Sequence, residues 1–335
     1  MTPYLAAEIG PTVTSLDTAL ELVDVVAQAG FDAVKVQILD AERLVGDPGL
    51  EVTWRNAEGG QERRALMREV LARRHLAPAE WATVFEHAKE SALEIIATVD
   101  FPSTLALALN LGADAIKVCS GDLNNTAWIR EVASATRHVY LDTGAGTLGE
   151  IERAVDAAAG IPTVTLVHCP SGYPAPLPSL HLRMLPALAT LFPQVRLGFA
   201  GHNPGWHIEA AAVALGATYI EKTVCLSRET DLPEFMFSLE PGETVDFVRA
   251  MSQVGVALGQ ARRPVDEHAH RRKAPARRSA YAARDLDAAV ALRPEDIDWR
   301  RPGGGIEPDL ADLLWGRPLG RSVPAGHGLR REDVL

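Results

Sequence analysis

Short runs of aliphatic and β-branched residues alternate along this chain with longer segments in which apolar positions recur every three or four residues. The first pattern predicts buried strands, and the second predicts helices that pack by one face. Strands are predicted at 4–10, 33–37, 94–98, 115–120, 138–142, 163–168, 196–200 and 218–223. Helices are predicted at 16–29, 78–91, 103–111, 126–135, 148–159, 180–191, 206–215 and 243–258. Ser15, Thr126 and Thr147 stand where N-caps belong, with Glu150 three residues after Thr147 as in a capping box. Gly30, Gly112 and Gly216 fall where helices should stop.

Strict strand–helix alternation predicts an α/β fold with a parallel sheet, and eight repeats are the number that closes into a (β/α)8 TIM barrel. A doubly wound open sheet is the alternative. It would carry a glycine-rich phosphate loop after an early strand, and Glu8-Ile9-Gly10-Pro11-Thr12 is not one. The barrel is therefore expected over residues 1–259. Residues 260–278 (QARRPVDEHAHRRKAPARR) are polar, basic and proline-bearing, and read as a linker. Residues 279–335 hold short apolar segments broken by RPGGG and PAGHG, the pattern of a small β-rich domain.

Composition narrows the function. Hydrophobic residues make up 47% and charged residues 23% of 335, enough apolar material for a large core. A net charge of −11 argues against a nucleic-acid partner, and it weakens the reading of 260–278 as a nucleic-acid arm. No stretch is apolar enough to span a bilayer, and the first residues do not form a signal peptide, so a cytoplasmic protein acting on small molecules is expected. Cys119, Cys169 and Cys225 show no CxxC spacing and read as structural, with a reservation for Cys119 beside a polar motif.

In a barrel of this kind chemistry collects where strands end. The predicted strand ends carry Glu8; Lys35 and Gln37; Thr98; Lys117, Ser120 and Asp122; Asp142 and Thr143; His168, Ser171 and Tyr173; His202; and Glu221, Lys222 and Thr223. Lysines inside the apolar runs AVKVQI and AIKVCS are costly to bury without an anionic partner. Two of them, with Thr98 and Ser120 between, read as a pocket for a phosphate or carboxylate. The plainer reading pairs each lysine with a barrel carboxylate such as Glu8 or Glu221. A single histidine at a strand end, such as His168 or His202, is by itself more often a hydrogen-bonded core residue than a ligand.

The segments AEIG, DAVKVQ, AIKVCSGDL, DTGAGTLGEIERAV, LVHCPSGYP, GHN, AVALGATYIEKT and SLEP resemble the N-acetylneuraminate (sialic acid) synthase family. The tail RRSAYAARDL…LRPEDIDWRRPGGGI resembles that family's SAF (antifreeze-like) domain, and the likeness runs almost end to end. The family condenses phosphoenolpyruvate with an N-acylated sugar aldehyde, which implies a transferase of carbohydrate biosynthesis. By position, the resemblance implies phosphoenolpyruvate contacts for Lys35, Thr98, Lys117 and Ser120, and sugar contacts for Glu8 and Tyr173. It implies an acidic group near the reacting atoms at Asp122, and a partner-inserted arginine at Arg301, hence a domain-swapped homodimer. It also implies a divalent metal, Mn²⁺ or Mg²⁺, on two histidines.

The chain departs from that pattern in several places. His202 is the one metal histidine present, since Thr223 stands at the second position. Asp142 replaces a phosphate-contacting serine, Ser171 replaces the sugar-loop asparagine, and Glu234-Phe235 replaces an Asp-His pair. Three readings stay open. The first is a phosphoenolpyruvate-condensing synthase whose acceptor is not N-acetylmannosamine. The second is a lyase, decarboxylase or dehydratase acting on a carboxylated sugar, and the third is a non-catalytic homologue. On the first, Glu8, Lys35, Lys117, Asp122, His202 and Glu221 are the candidate catalytic residues. Gln37, Thr98, Ser120, Asp142, Thr143, His168, Ser171, Tyr173, Glu234 and Arg301 are the candidate substrate contacts.

Overall fold

The computed structural model describes residues 2–55, 60–230, 232–262 and 267–335. The chain folds as two units, Met1–Gly259 and Gln260–Leu335. The first is a closed barrel of parallel strands: β1 (Tyr4–Glu8), β2 (Ala33–Ile38), β3 (Glu94–Val99), β4 (Ala115–Val118), β5 (His138–Asp142), β6 (Thr163–His168), β7 (Arg196–Ala200) and β8 (Tyr219–Thr223). Each strand pairs with its sequence neighbour, and β8 returns to β1 with Glu8 opposite Thr223. The eight predicted strands are the barrel, and the open-sheet alternative falls.

Strand parity sorts the side chains. Val34, Val36 and Ile95 face the surrounding helices and join the large outer core, while Ala6, Ala33, Ile96, Ala115, Tyr140 and Tyr219 pack inside the barrel. Lys35, Lys117, Asp142 and Glu221 stand two residues beyond inward-facing residues, so they point into the barrel one layer nearer its mouth. Lys222 has the opposite parity. It meets Glu209 of the helix His207–Ala214 at 2.9 Å, with both side chains fully buried.

Several predicted boundaries shift for identifiable reasons. The first strand stops at Glu8 because the chain turns back and the Gly10 amide donates to the Glu8 carboxylate at 2.7 Å. The fourth stops at Val118, ahead of a 3-10 turn at Ser120–Asp122. Ser15 and Thr147 cap their helices as predicted, but the cap of Thr126–Ala135 is Asn125, whose side chain accepts from the Trp128 amide. The helix expected from residue 180 begins at Met184, after a 3-10 turn at Leu177–Ser179. Between β2 and the helix Pro78–Glu90 lies an unpredicted antiparallel hairpin, Glu51–Arg55 with Glu62–Leu66, followed by the helix Met67–Ala72.

In the second unit, Ser279–Ala282 pairs antiparallel with Ile297–Arg300 over a small core that includes Ala280, Leu286, Leu314 and Leu329. The stretch read as a linker carries the helix Glu267–Ala276, and its residues 263–266 lie outside the described ones. Among the described residues no helix is long and apolar enough to cross a membrane.

Candidate active site

The inward polar residues enclose a cavity of about 350 Å³ at the C-terminal ends of the strands. Glu8, Lys35, Gln37, Thr98, Lys117, Ser120, Asp142, Ser171, Tyr173, His202, Glu221 and Glu234 all line it. At its centre is a chain of charges. Lys35 bonds to Glu8, its register neighbour on β1, and lies 3.8 Å from Glu221. Lys117 reaches across the barrel to both oxygens of Glu221, at 2.7 and 2.8 Å, and stands 3.0 Å from Asp142 Oδ2. Tyr219 donates to Glu221 at 2.7 Å, and Gln37 donates to Glu8 at 3.1 Å.

Burial sets the electrostatics of this cluster. It lowers the Lys35 pKa, with Glu221 opposing. It would lower Lys117 too, but Asp142 and Glu221 outweigh it and hold that ammonium above its ordinary range. Burial raises Asp142 despite the nearby Lys117. Glu221 goes the other way: Lys117 and Lys35 overcome its burial and bring it down to about 2. Both lysines are paired with carboxylates, as the plainer reading has it, and both line the cavity, as the anion-pocket reading has it. Thr98 Oγ1 and Asp142 Oδ1, beside the lysines, are buried without a hydrogen-bond partner.

Some expected residues lie elsewhere. His168 has outward parity, and its Nε2 meets the Leu180 carbonyl at 2.7 Å. Thr143, one residue out of phase with Asp142, lines with His168 a neighbouring groove that shares Ser171 with the central cavity. Asp122 sits in the 3-10 turn and accepts from Asn125 at 3.4 Å rather than facing the cavity. Arg301 is exposed in the second unit. Cys119 and Cys169 line the cavity, yet burial raises both pKa values, Cys119 to about 11, so they stand there as thiols.

Sequence reasoning missed Arg74, which lines the cavity from beyond the hairpin and pairs with Glu234 at 3.4 Å. It also missed the apolar wall of Leu44, Met67 and Leu71 beside it. No motif surrounds these residues, and only the fold brings them to the barrel mouth.

The donors do not fit the implied divalent metal. His202 packs between Tyr173 and Phe237 with ring centroids 4.8 and 5.4 Å away, and burial lowers its pKa to about 4. Its buried Nδ1 has no partner, which suits a ligand atom, but the expected second imidazole is the Thr223 hydroxyl. Glu8 and Glu221 are engaged by lysines. Among the described residues, no three His, Cys, Asp or Glu side chains are grouped to hold a metal ion.

Residues 22–263 match the NeuB family and residues 277–335 match the SAF domain. The chain belongs to the NeuB family. Curated relatives of this NeuB family member include the N,N'-diacetyllegionaminic acid synthase of Legionella pneumophila, 26% identical over 100% of this chain and 95% of the relative. The pseudaminic acid synthase of Campylobacter jejuni is 26% identical over 98% of this chain and 96% of the relative. The fold is shared with the N-acetylneuraminic acid (sialic acid) synthetase of Leptospira borgpetersenii, at a TM-score of 0.71 and 23% identity over 81% of this chain and 90% of that one.

Proposed function

We propose that this NeuB family member condenses phosphoenolpyruvate with a sugar-derived aldehyde to give a 2-keto-3-deoxy acid, using an acceptor other than N-acetylmannosamine. The names of two relatives, an N,N'-diacetyllegionaminic acid synthase and a pseudaminic acid synthase, support the reaction type. The observation that carries it is the unpartnered Thr98 hydroxyl, buried between Gln37 and Lys117 in the strand register and lining the same cavity as Lys35. A buried hydroxyl left unsatisfied costs free energy that a substrate oxyanion would recover. The replaced sugar-loop residue Ser171, which lines the cavity, supports a different acceptor.

The enol carbon of phosphoenolpyruvate attacks the aldehyde carbon, forming the new C–C bond while the aldehyde oxygen takes a proton. Water then adds at the neighbouring carbon that carries the phosphate ester oxygen, and the C–O bond to phosphate breaks, leaving the ketone and inorganic phosphate. Lys35 and Lys117 neutralise and orient the donor. In this reading Asp142 supplies the proton, supported by its raised pKa and free Oδ1, and Glu8 accepts one from water. No step is routed through a metal ion. We assign Arg301 to the site of a second copy of the chain, in a domain-swapped homodimer.

One observation favours a second reading. Asp142 stands 3.0 Å from Lys117 and takes up charge that phosphate would use. A lyase or decarboxylase on a carboxylated sugar would tolerate this better. Phosphate release from phosphoenolpyruvate, measured against a panel of sugar aldehydes, separates the two. Aldehyde-dependent release supports condensation. Its absence, with no calorimetric binding of phosphoenolpyruvate by folded protein, favours the lyase.

A further inference from the structure

Three cations line the cavity, and the protein uses their hydrogen-bonding capacity unequally. Lys35 bonds to Glu8, and Lys117 has three carboxylate oxygens for its three donors. Arg74 is only 8% exposed, yet its side chain makes one hydrogen bond, from Nη1 to Glu234 Oε1 at 3.4 Å. Its Nε is buried without any partner. A guanidinium carries five N–H donors in a rigid fork matched to carboxylate and phosphate. Burying Nε without a partner is unfavourable, and an oxyanion gripped by the fork would correct it.

The counter-ion is held in an unusual way. Glu234 sits at φ +79°, a left-handed conformation that costs a residue with a Cβ on the order of 1 kcal/mol, and its carbonyl accepts from Ser238 Oγ at 2.7 Å. The backbone thus presents the carboxylate to Arg74 against its own preference. Leu44, Met67 and Leu71 line the same cavity as the pair and make part of its wall apolar.

We propose that Arg74 grips an oxyanion of the donor substrate bidentately, and that Glu234 is the displaceable counter-ion that keeps the fork aimed into the empty cavity. This rests on phosphoenolpyruvate being the donor. The carboxylate and the phosphate of that donor offer the same chemistry to the fork, and the test distinguishes them.

The full chain is titrated calorimetrically with phosphoenolpyruvate, inorganic phosphate and pyruvate. Removing Arg74 alone strands Glu234, so the charge-balanced Arg74→Met/Glu234→Gln variant is the main probe, with thermal melting to verify folding. Its phosphoenolpyruvate affinity is expected to fall at least about tenfold. Arg74→Lys should lie between that and the parent, because an ammonium cannot engage bidentately. Glu234→Gln, which frees the fork, should bind more tightly. A parallel loss for phosphate marks the phosphate as the gripped group, a parallel loss for pyruvate marks the carboxylate, and either upholds the proposal. Unchanged phosphoenolpyruvate affinity in the double variant overturns it while leaving the donor assignment standing. A parent protein that binds no phosphoenolpyruvate overturns both.

Discussion

Lys117 and Asp142 face each other at 3.0 Å from strands β4 and β5, and the carboxylate keeps one oxygen, Oδ1, buried and unpartnered. The contact sits beside Thr98 and Lys35, where an oxyanion of the substrate is proposed to bind. Asp142→Asn keeps the shape and removes a carboxyl whose ionised form competes with the substrate for Lys117. Phosphoenolpyruvate affinity is expected to rise by roughly tenfold, about 1.4 kcal/mol, while turnover falls because the proton donor is gone. Calorimetry and phosphate-release kinetics on the same preparation read the two effects separately. Weaker binding together with unchanged turnover would remove Asp142 from both roles.

Glu221 makes stability depend on pH. Its pKa is depressed in the folded protein to about 2, against an ordinary 4.5. A depressed carboxyl contributes stability that is fully present above its unfolded value and is lost as pH falls through the folded one. Glu221→Gln should therefore lower stability by on the order of 3 kcal/mol at pH 6 to 8. The deficit should narrow between about pH 4.5 and 2, where the parent loses the same term. Urea unfolding at several pH values checks this. A deficit constant across that window would mean the side chain acts by packing alone.

A glycine positions one of the candidate contacts. Gly144 has φ +48°, and a Cβ there would stand 2.4 Å from the Ser120 Cβ. Gly144→Ala must push Ser120 and its hydroxyl off the cavity wall. We expect at least a tenfold weaker phosphoenolpyruvate affinity with about 1–2 kcal/mol lost in stability, most of it backbone strain. Equal affinity in a folded Gly144→Ala protein would release Ser120 from the substrate contacts.

The strands were legible because parallel barrel strands are buried on both faces and read as unbroken apolar runs. Lys35 and Lys117 stood out inside such runs, and the cavity brings them together. Strand ends alone misled for His168 and Thr143, since the alternation of faces sends one residue inward and the next outward. Lys222 shows the same rule: one position past Glu221, it turns to Glu209 and becomes structural. The hairpin escaped because Glu51–Arg55 and Glu62–Leu66 are mostly polar and exposed, and the inward face of the first strand is only Val52 and Trp54, too short to impose a period. Arg74 was illegible for a different reason: its partner Glu234 lies 160 residues away, and nothing local to either announces the pair.

The homodimer proposal has a test that needs no partner structure. If Arg301 of one copy completes the site of the other, a Lys117→Ala chain and an Arg301→Ala chain are each inactive for opposite reasons. In a mixed dimer, the Arg301→Ala barrel receives an intact Arg301 from its partner, and one of the two sites is whole. Random reassembly of equal amounts makes half of the dimers mixed, so activity should recover to about a quarter of the parent value. Refolding the two chains together, against each refolded alone, measures this directly. Recovery would fix Arg301 as a residue supplied in trans. If two folded, co-assembled variants stay inactive together, Arg301 serves its own chain, and an Arg301→Ala chain active by itself would mean that it serves none.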